Sequence, residues 1–191
     1  IIAVSDGIYE FLTNKIYIST DKIMKLPNPI DVKDIKEKSL KLLDITLPDK
    51  YILFIGRLSY VKNLFLLLDA FERGKLDDNY LVIVGDGEMK DALIEKTKKM
   101  NKVDKIMFLG EIENPLPILK RSQLLVLPSF SEAYPTILLE ALCLYIPVLS
   151  TPTKGAKEIL NNMAGTYISN DYYNIEEFAK LMENGVKEKL D

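Results

Sequence analysis

The stretch Tyr51-Ile-Leu-Phe-Ile55-Gly56-Arg57 sets five apolar residues in a row, closes them with glycine and follows them with a cation. A strand without a single polar position must be covered on both faces, which is the signature of a parallel sheet between helical layers. The same design returns at Tyr80-Leu-Val-Ile-Val84-Gly85 and at Ile106-Met-Phe-Leu109-Gly110. Shorter apolar runs follow at positions 124–127, 147–149 and 166–168. Helix-like segments separate them at 63–72, 89–100, 115–121, 135–144 and 156–160, and a last one is expected over 175–190.

Alternating βα units with right-handed crossovers give a Rossmann-like, doubly wound parallel α/β sheet. Six strands from Tyr51 onward suit the order 3-2-1-4-5-6. Its switch point falls between the first and fourth strands, so the loop at Gly56-Arg57 and the loop from Ser129 to Glu132 are expected to face one crevice.

Upstream of Tyr51 the pattern is weaker. Positions 1–4 read as a short strand, Ser5 or Asp6 as a cap for a helix over 8–13, and 23–26 as a weak strand ended by Pro27-Asn28-Pro29. A charged helix is expected over 32–43. The chain opens on Ile1-Ile2 with no initiator methionine, which suggests a piece of something longer.

Composition narrows the classes. Of 191 residues, 48% are hydrophobic, enough for a folded core. Net charge is −3 with basic and acidic residues mixed, which argues against a broad nucleic-acid footprint. The lysines from 96 to 105 read as a solvated helix face. There is no histidine and a single cysteine, Cys143. Histidine metal sites and histidine-activated nucleophiles are therefore excluded within this chain, and a reducing cytosol is the natural setting. No apolar run reaches membrane-spanning length, and no signal peptide is visible.

Chemistry gathers at two loops. In the first, Gly56 permits close backbone approach, Arg57 offers a fork of donors, and Lys62 places a charge just ahead of a helix. Two cations at a helix N-terminus suit a diphosphate; the bland alternative is a solvated loop. The second segment runs Pro128-Ser-Phe-Ser-Glu132-Ala-Tyr-Pro-Thr-Ile-Leu-Leu-Glu140. Backbone around Tyr134, Pro135, Thr136 and Ile137 opens a helix toward the crevice, and the Thr136 hydroxyl could join a phosphate contact. Apolar residues bracket Glu140, so nearly every face of that helix reads as buried, and its carboxylate needs donors that ribose hydroxyls could supply. Glu132 could take sugar hydroxyls. The bland alternative leaves Glu132 solvated and Glu140 paired with a lysine.

Weaker signals remain. Gly110-Glu111-Ile112 could offer backbone groups to a base. Gly85-Asp-Gly-Glu88 reads as a turn and N-cap rather than a metal cluster. Gly155 and Glu158 read as a turn before a helix, with a ligand role open. Tyr172-Tyr173 reads as a surface or packing pair.

The ordered set of segments resembles the donor-binding half of a GT-B glycosyltransferase of the retaining family 4, over about residues 2–177. It comprises Ile2-Ala-Val-Ser5, Pro27-Asn-Pro-Ile-Asp31, Phe54-Ile-Gly-Arg-Leu58 with Lys62-Asn63, Leu81-Val-Ile-Val-Gly-Asp-Gly87, Phe108-Leu-Gly110, Val126-Leu-Pro-Ser129, Glu132 to Glu140-Ala141, Pro147-Val148, and Gly155 with Glu158-Ile-Leu160. The Tyr134-Pro-Thr136 wording is most similar to enzymes that build capsule, lipopolysaccharide or other surface glycans. Two positions depart from the family pattern. Ala133 replaces a usual glycine, so that loop must hold a shape open to alanine. Tyr145 replaces another, and a different helix end is expected there because tyrosine disfavours the left-handed conformation.

The resemblance implies that residues 1–30 are a junction with a preceding domain, and that residues 31–191 bind a nucleotide sugar. A preceding domain of about 170 residues is expected. By position, Arg57 and Lys62 would bind the diphosphate, Glu140 the ribose and Glu132 the donor sugar, while residues 134–137 meet phosphates and sugar. The implied reaction moves a hexose or N-acetylhexosamine from a nucleotide diphosphate sugar, by family habit a UDP-sugar, to a glycan or lipid-linked acceptor. It would proceed with retention, without a metal or other cofactor and without nucleic acid. Such an enzyme would be cytoplasmic, and peripheral association with the inner face of the plasma membrane is plausible. This half alone would turn over little. The alternatives are a non-catalytic nucleotide-sugar binding module and a GT-B sugar-nucleotide epimerase.

Overall fold

A computed structural model of the protein describes residues 1–161, 163–188 and 190. The chain opens with β1 (Ile2–Ala3), α1 (Asp6–Asn14), β2 (Met24–Lys25) and α2 (Val32–Ser39). The βα alternation follows as β3 (Tyr51–Ile55), α3 (Leu64–Arg73), β4 (Tyr80–Val84), α4 (Lys90–Thr97), β5 (Ile106–Gly110) and α5 (Leu116–Arg121). It continues with β6 (Leu124–Leu127), α6 (Thr136–Cys143), β7 (Val148–Ser150), α7 (Lys154–Leu160), β8 (Thr166–Ile168) and α8 (Ile175–Gly185). Six strands form one parallel sheet in the order β5-β4-β3-β6-β7-β8, which is 3-2-1-4-5-6 counted from β3. β1 and β2 form a separate two-stranded parallel ribbon.

The all-apolar strands are buried as their composition requires. Tyr51 to Phe54, Leu81 to Val84 and Leu124 to Leu127 are almost wholly inaccessible. Tyr51 carries the one polar atom of its strand, and its hydroxyl donates to the Ile118 carbonyl at 2.5 Å, which ties β3 to α5. Burial pushes that phenol well above its ordinary range.

Helix ends depart from the sequence reading. α2 stops at Ser39, four residues short of the expected end, and the N-cap is Asp31, whose carboxylate accepts from the Lys33 and Asp34 amides at 3.0 Å. α8 stops at Gly185 rather than 190, and position 189 of that expected helix lies outside the described residues. The lysines of 96–105 are not simply solvated. Lys96 pairs with Asp69, and Lys102 donates to the Phe71 and Gly74 carbonyls, clamping the end of α3.

Tyr145 corrects a further expectation. It adopts φ +58°, the left-handed conformation a glycine would take. Its amide donates to the Leu142 carbonyl at 3.1 Å and the Ile146 amide to the Ala141 carbonyl at 2.9 Å. Those two bonds are the Schellman pattern, so the helix end is kept and tyrosine is strained into it. Exposed Lys36 lies over the exposed ring, 5.7 Å from its centroid, a partial offset. The left-handed penalty for a side chain is about 1–2 kcal/mol. Glycine at 145 is therefore expected to be more stable than alanine by about 1 kcal/mol in chemical denaturation, the reverse of their order inside a helix.

Candidate functional site

Three loops at the carboxyl ends of β3, β4 and β5 are laced together by backbone hydrogen bonds. Gly56 N–H donates to the Val84 carbonyl at 3.0 Å, Leu58 N–H to Asp86 at 2.8 Å, and Gly85 N–H to Gly110 at 2.7 Å. The approach is so close that a Cβ on Gly85 would overlap the Gly56 carbonyl oxygen. The loop after β3 also touches the loop after β6, across the switch point. There the Phe130 amide donates to the Val61 carbonyl at 2.8 Å. The two loops singled out by topology therefore share one edge of the sheet.

Where they meet, Lys62 Nζ lies 2.6 Å from Glu132 Oε1, and Ser129 Oγ donates to the same oxygen at 2.6 Å. Both charged side chains are largely shielded, at 23% and 12% exposure. Ser129 is fixed in turn by the Thr151 hydroxyl, which donates to its carbonyl. The Glu132 carbonyl accepts the Gly155 amide at 3.2 Å. Gly155 thus has a structural task. It sits in the first turn of α7, where a Cβ would come within 2.6 Å of the Ala133 carbonyl oxygen. Ala133 itself has no positive φ, so alanine fits there without strain. Glu158 also has a structural task, accepting the Asp6 amide at 2.8 Å and anchoring α1.

Five of the expected residues line two cavities, whereas Gly110, Tyr134, Pro135, Thr136, Ile137 and Glu140 line neither. Glu132 and Ala133 line one of about 450 Å³, closed on the far side by α1 through Gly7, Ile8 and Phe11. Gly56, Arg57, Glu111 and Ile112 line another of about 500 Å³ with Asp86 and Gly87. Lys62 lies between them: its Cε is 3.8 Å from where a Gly56 Cβ would be. Arg57 does not converge on Glu132. It is 74% exposed and pairs with Glu88, whose Oε2 is 3.2 Å from Nη2 and 3.3 Å from Nε. Glu88 therefore belongs to the site's electrostatics, not merely to a turn. Asp86 accepts from the Gly87 amide and from Lys90, while α4 starts behind Met89 without a side-chain cap.

Helix α6 opens at Thr136 behind Pro135, which has no N–H to offer. Among the described residues, no acceptor meets the Thr136 and Ile137 amides. On β2, the hydrogen bond and charge of Asp6, helped by Glu158, hold the Lys25 ammonium above its ordinary value. α6 is less enclosed than its composition suggested. Leu138 and Ala141 are buried, whereas Ile137, Leu139 and Leu142 are only partly so. Glu140 is half-buried and has no hydrogen-bond or ion-pair partner among the described residues, so the alternative of a lysine partner finds no support. Burial raises its carboxyl pKa. Burial, with Glu140 adding, also pushes the Cys143 thiol up, while Lys36 opposes.

Tyr172-Tyr173, read as a surface or packing pair, belongs to a larger cluster that the sequence did not reveal. Phe130 stands between Tyr60 and Tyr173, with ring centroids 5.4 and 5.6 Å away, and Tyr172 closes the cluster. The four rings come from three distant segments, so no spacing rule finds them.

Comparisons place this geometry among known proteins. The family model described as "Glycosyl transferases group 1" matches residues 35–189. An N-acetylgalactosamine-N,N'-diacetylbacillosaminyl-diphospho-undecaprenol 4-alpha-N-acetylgalactosaminyltransferase of Campylobacter jejuni is 36% identical over 159 residues, covering 83% of this chain and 43% of that protein. A UDP-Gal:alpha-D-GlcNAc-diphosphoundecaprenol alpha-1,3-galactosyltransferase of Escherichia coli is 30% identical over 168 residues, covering 80% and 42%. The chain thus spans less than half the length of these relatives. Among solved structures, a glycosyltransferase from Rickettsia africae superposes with TM-score 0.85 at 20% identity, over 97% of this chain and 52% of that one. Anabaena HepE in complex with UDP gives 0.78 at 17% identity, over 97% and 53%. These likenesses show the GT-B Rossmann-like fold.

The unpartnered carboxylate yields a pH signature. Because burial raises the folded-state pKa of Glu140 above its ordinary 4.5, the folded protein holds that proton to higher pH than the unfolded chain. The contribution of this group to stability falls as pH rises from 4.5 through the raised value, and the full penalty is present above it. Glu140→Gln is expected to be more stable than the parent at pH 7, with the advantage shrinking as the pH is lowered toward 4, measured by denaturation at a series of pH values.

Proposed function

The chain belongs to the glycosyl transferases group 1 family, and from that premise we propose that it is the donor-binding half of a retaining, metal-independent glycosyltransferase. The donor is a UDP-hexose or UDP-N-acetylhexosamine, and the acceptor a lipid-linked or surface-glycan hydroxyl. The observation that carries this reading is the junction at the switch point, where Lys62 meets Glu132, with the open amides of α6 beginning four residues further along the chain. Cation, carboxylate and helix N-terminus are the kinds of group that a phosphate and a sugar require. The relatives support the substrates: two act, by name, on diphospho-undecaprenol-linked sugars, and HepE was captured with UDP.

In this reading the diphosphate lies against Arg57, Lys62 and the Thr136 and Ile137 amides. Glu140, half-buried and without a partner, takes the ribose hydroxyls, and the backbone at Gly110 to Ile112 meets the base. Glu132 takes hydroxyls of the donor sugar. The acceptor oxygen attacks the anomeric carbon on the face the diphosphate is leaving. The sugar–phosphate C–O bond breaks, and the acceptor proton passes to the departing phosphate oxygen. Positive charge from Arg57 and Lys62 stabilises that leaving group in the role a divalent ion would otherwise fill.

The β1–β2 ribbon and α1 serve as the junction to an acceptor-binding domain. A two-stranded ribbon is marginal alone, and Ile1, Ile2, Phe11, Met24 and Leu26 of this segment are exposed. A lipid-linked acceptor would bring the assembled enzyme to the inner face of the membrane; no helix among the described residues is long and apolar enough to cross it.

Calorimetric titration tests the assignments separately. Glu140→Ala is expected to weaken UDP binding roughly tenfold or more, the worth of hydrogen bonds to a carboxylate. Glu132→Ala should spare UDP but weaken UDP-sugar. Glu88→Ala releases Arg57 from an exposed ion pair worth at most about 1 kcal/mol, so UDP should bind up to about fivefold tighter. Failure of the unmutated protein to bind any nucleoside diphosphate, or an unchanged Glu140→Ala, would overturn the reading. In the enzyme carrying its acceptor domain, turnover should survive a chelator.

A further inference from the structure

The aromatic cluster has a place and a composition that the nucleotide site does not use. Tyr60 and Tyr173 are 70% and 73% exposed, and Phe130 lies half-buried between them. Together with Phe65 and Met89 they line a groove of about 230 Å³. That is below the range of drug-sized pockets and suited to one small ring. The groove is built rather than incidental. Asn63, held at φ +50°, donates its side-chain amide to the Tyr172 carbonyl at 3.1 Å, and the Phe130 amide donates to Val61. The loops bearing the rings are thereby tied to one another. The Tyr172 hydroxyl is committed to the Pro152 carbonyl at 3.1 Å, whereas those of Tyr60 and Tyr173 have no partner among the described residues.

We propose that this groove is a stacking subsite for a pyranose ring, next to the Glu132 cavity. A pyranose has an apolar face of axial C–H groups and a rim of hydroxyls. Exposed rings with free phenolic hydroxyls match both, since each presents an apolar body and a polar tip. The two adjoin at Phe130, which lines the groove and also the cavity of Glu132, two residues away. Charge argues for a neutral sugar over an anionic lipid surface. Lys96, above the Phe65 ring, is paired with Asp69, and Lys62 with Glu132. Asp171 and Glu176 flank Tyr173 in sequence. The ring belongs either to the donor sugar or to the acceptor glycan. The proposal takes its biological meaning from the sugar-nucleotide reading above, but its test does not depend on nucleotide binding.

The test is saturation-transfer NMR with the methyl α-glycosides of glucose, galactose and N-acetylgalactosamine. At least one should receive saturation from the protein on its ring protons. Tyr60→Ala and Tyr173→Ala should weaken that binding roughly three- to tenfold, the scale of one aromatic contact, while Tyr60→Phe and Tyr173→Phe retain most of it. Both positions are exposed, so folding should be unaffected, and a thermal melt checks this. Glu140→Ala should leave glycoside binding intact, so loss of the nucleotide site and loss of the groove are separable. Displacement of the glycoside by UDP-sugar but not by UDP assigns the groove to the donor; persistence in saturating UDP-sugar assigns it to the acceptor, and either supports the subsite. The proposal fails if no glycoside shows transfer, or if the alanine variants bind as the parent does. It also fails if phosphatidylglycerol vesicles bind through these tyrosines instead of glycosides.

Discussion

The parallel pairing of β3 with β4 on one side and β6 on the other is the constraint from which the site follows. β4 and β5 build outward from β3 to one edge; the chain then returns across the sheet to begin β6 on the other flank. No crossover helix covers the gap between the loops leaving β3 and β6, so their residues share a crevice. Bonds such as Phe130 to Val61 then set how wide that crevice is. A register error in β3 would displace Gly56 from Val84 and Leu58 from Asp86 together, and with them Arg57 and Lys62.

The charges of the crevice neutralise one another. Lys62 is held by Glu132 and Arg57 by Glu88, so the cations are compensated without ligand. The two pairs differ in kind. The Lys62–Glu132 pair is shielded and supported by Ser129 and Thr151, so breaking it leaves groups that must find new partners. The Arg57–Glu88 pair is exposed and weak, so Arg57 is free to swing. A diphosphate arriving here would recruit Arg57 cheaply. Taking Lys62 would release Glu132 for hydroxyl donors, which is what a sugar attached to that phosphate carries.

Much of this was legible in the sequence, for identifiable reasons. Tyr51–Ile55, Tyr80–Val84 and Leu124–Leu127 are strands at the boundaries read from apolar runs, because burial on both faces leaves no alternation to misread; the partly buried edge strand Thr166–Ile168 also falls where it was read. Helix ends were less legible. Positions 40–43 continue the amphipathic pattern of α2, yet the helix stops at Ser39, because nothing in the pattern encodes where tertiary contact ends. At Tyr145 local propensity pointed the wrong way: the Schellman bonds and the packing of Ile146 outweigh a penalty on one residue. Within the site, Lys62 and Glu132 could be named from position, but their direct contact spans 70 residues. Glu88 as partner of Arg57, and the ring cluster from positions 60, 130 and 172–173, are products of folding alone.

Rigidity is distributed unevenly around Glu132, and the distribution has a physical source. Its carbonyl is fixed by the Gly155 amide, its carboxylate by Lys62 and Ser129, and the space behind Ala133 is filled by the first turn of α7. A side chain at 155 would push that loop outward, so the small residue at one position makes the carboxylate at another precise in place. A Gly155→Ala change would act on Glu132 through the backbone, because its Cβ would fall 2.8 Å from the Glu132 carbonyl oxygen at the start of α7, a helix capped by the Thr153 hydroxyl on the Ala156 amide. A fixed carboxylate beside a loose guanidinium lets one group set geometry while the other adapts to charge. Sites that must hold a sugar in one orientation while a phosphate gains charge need both properties.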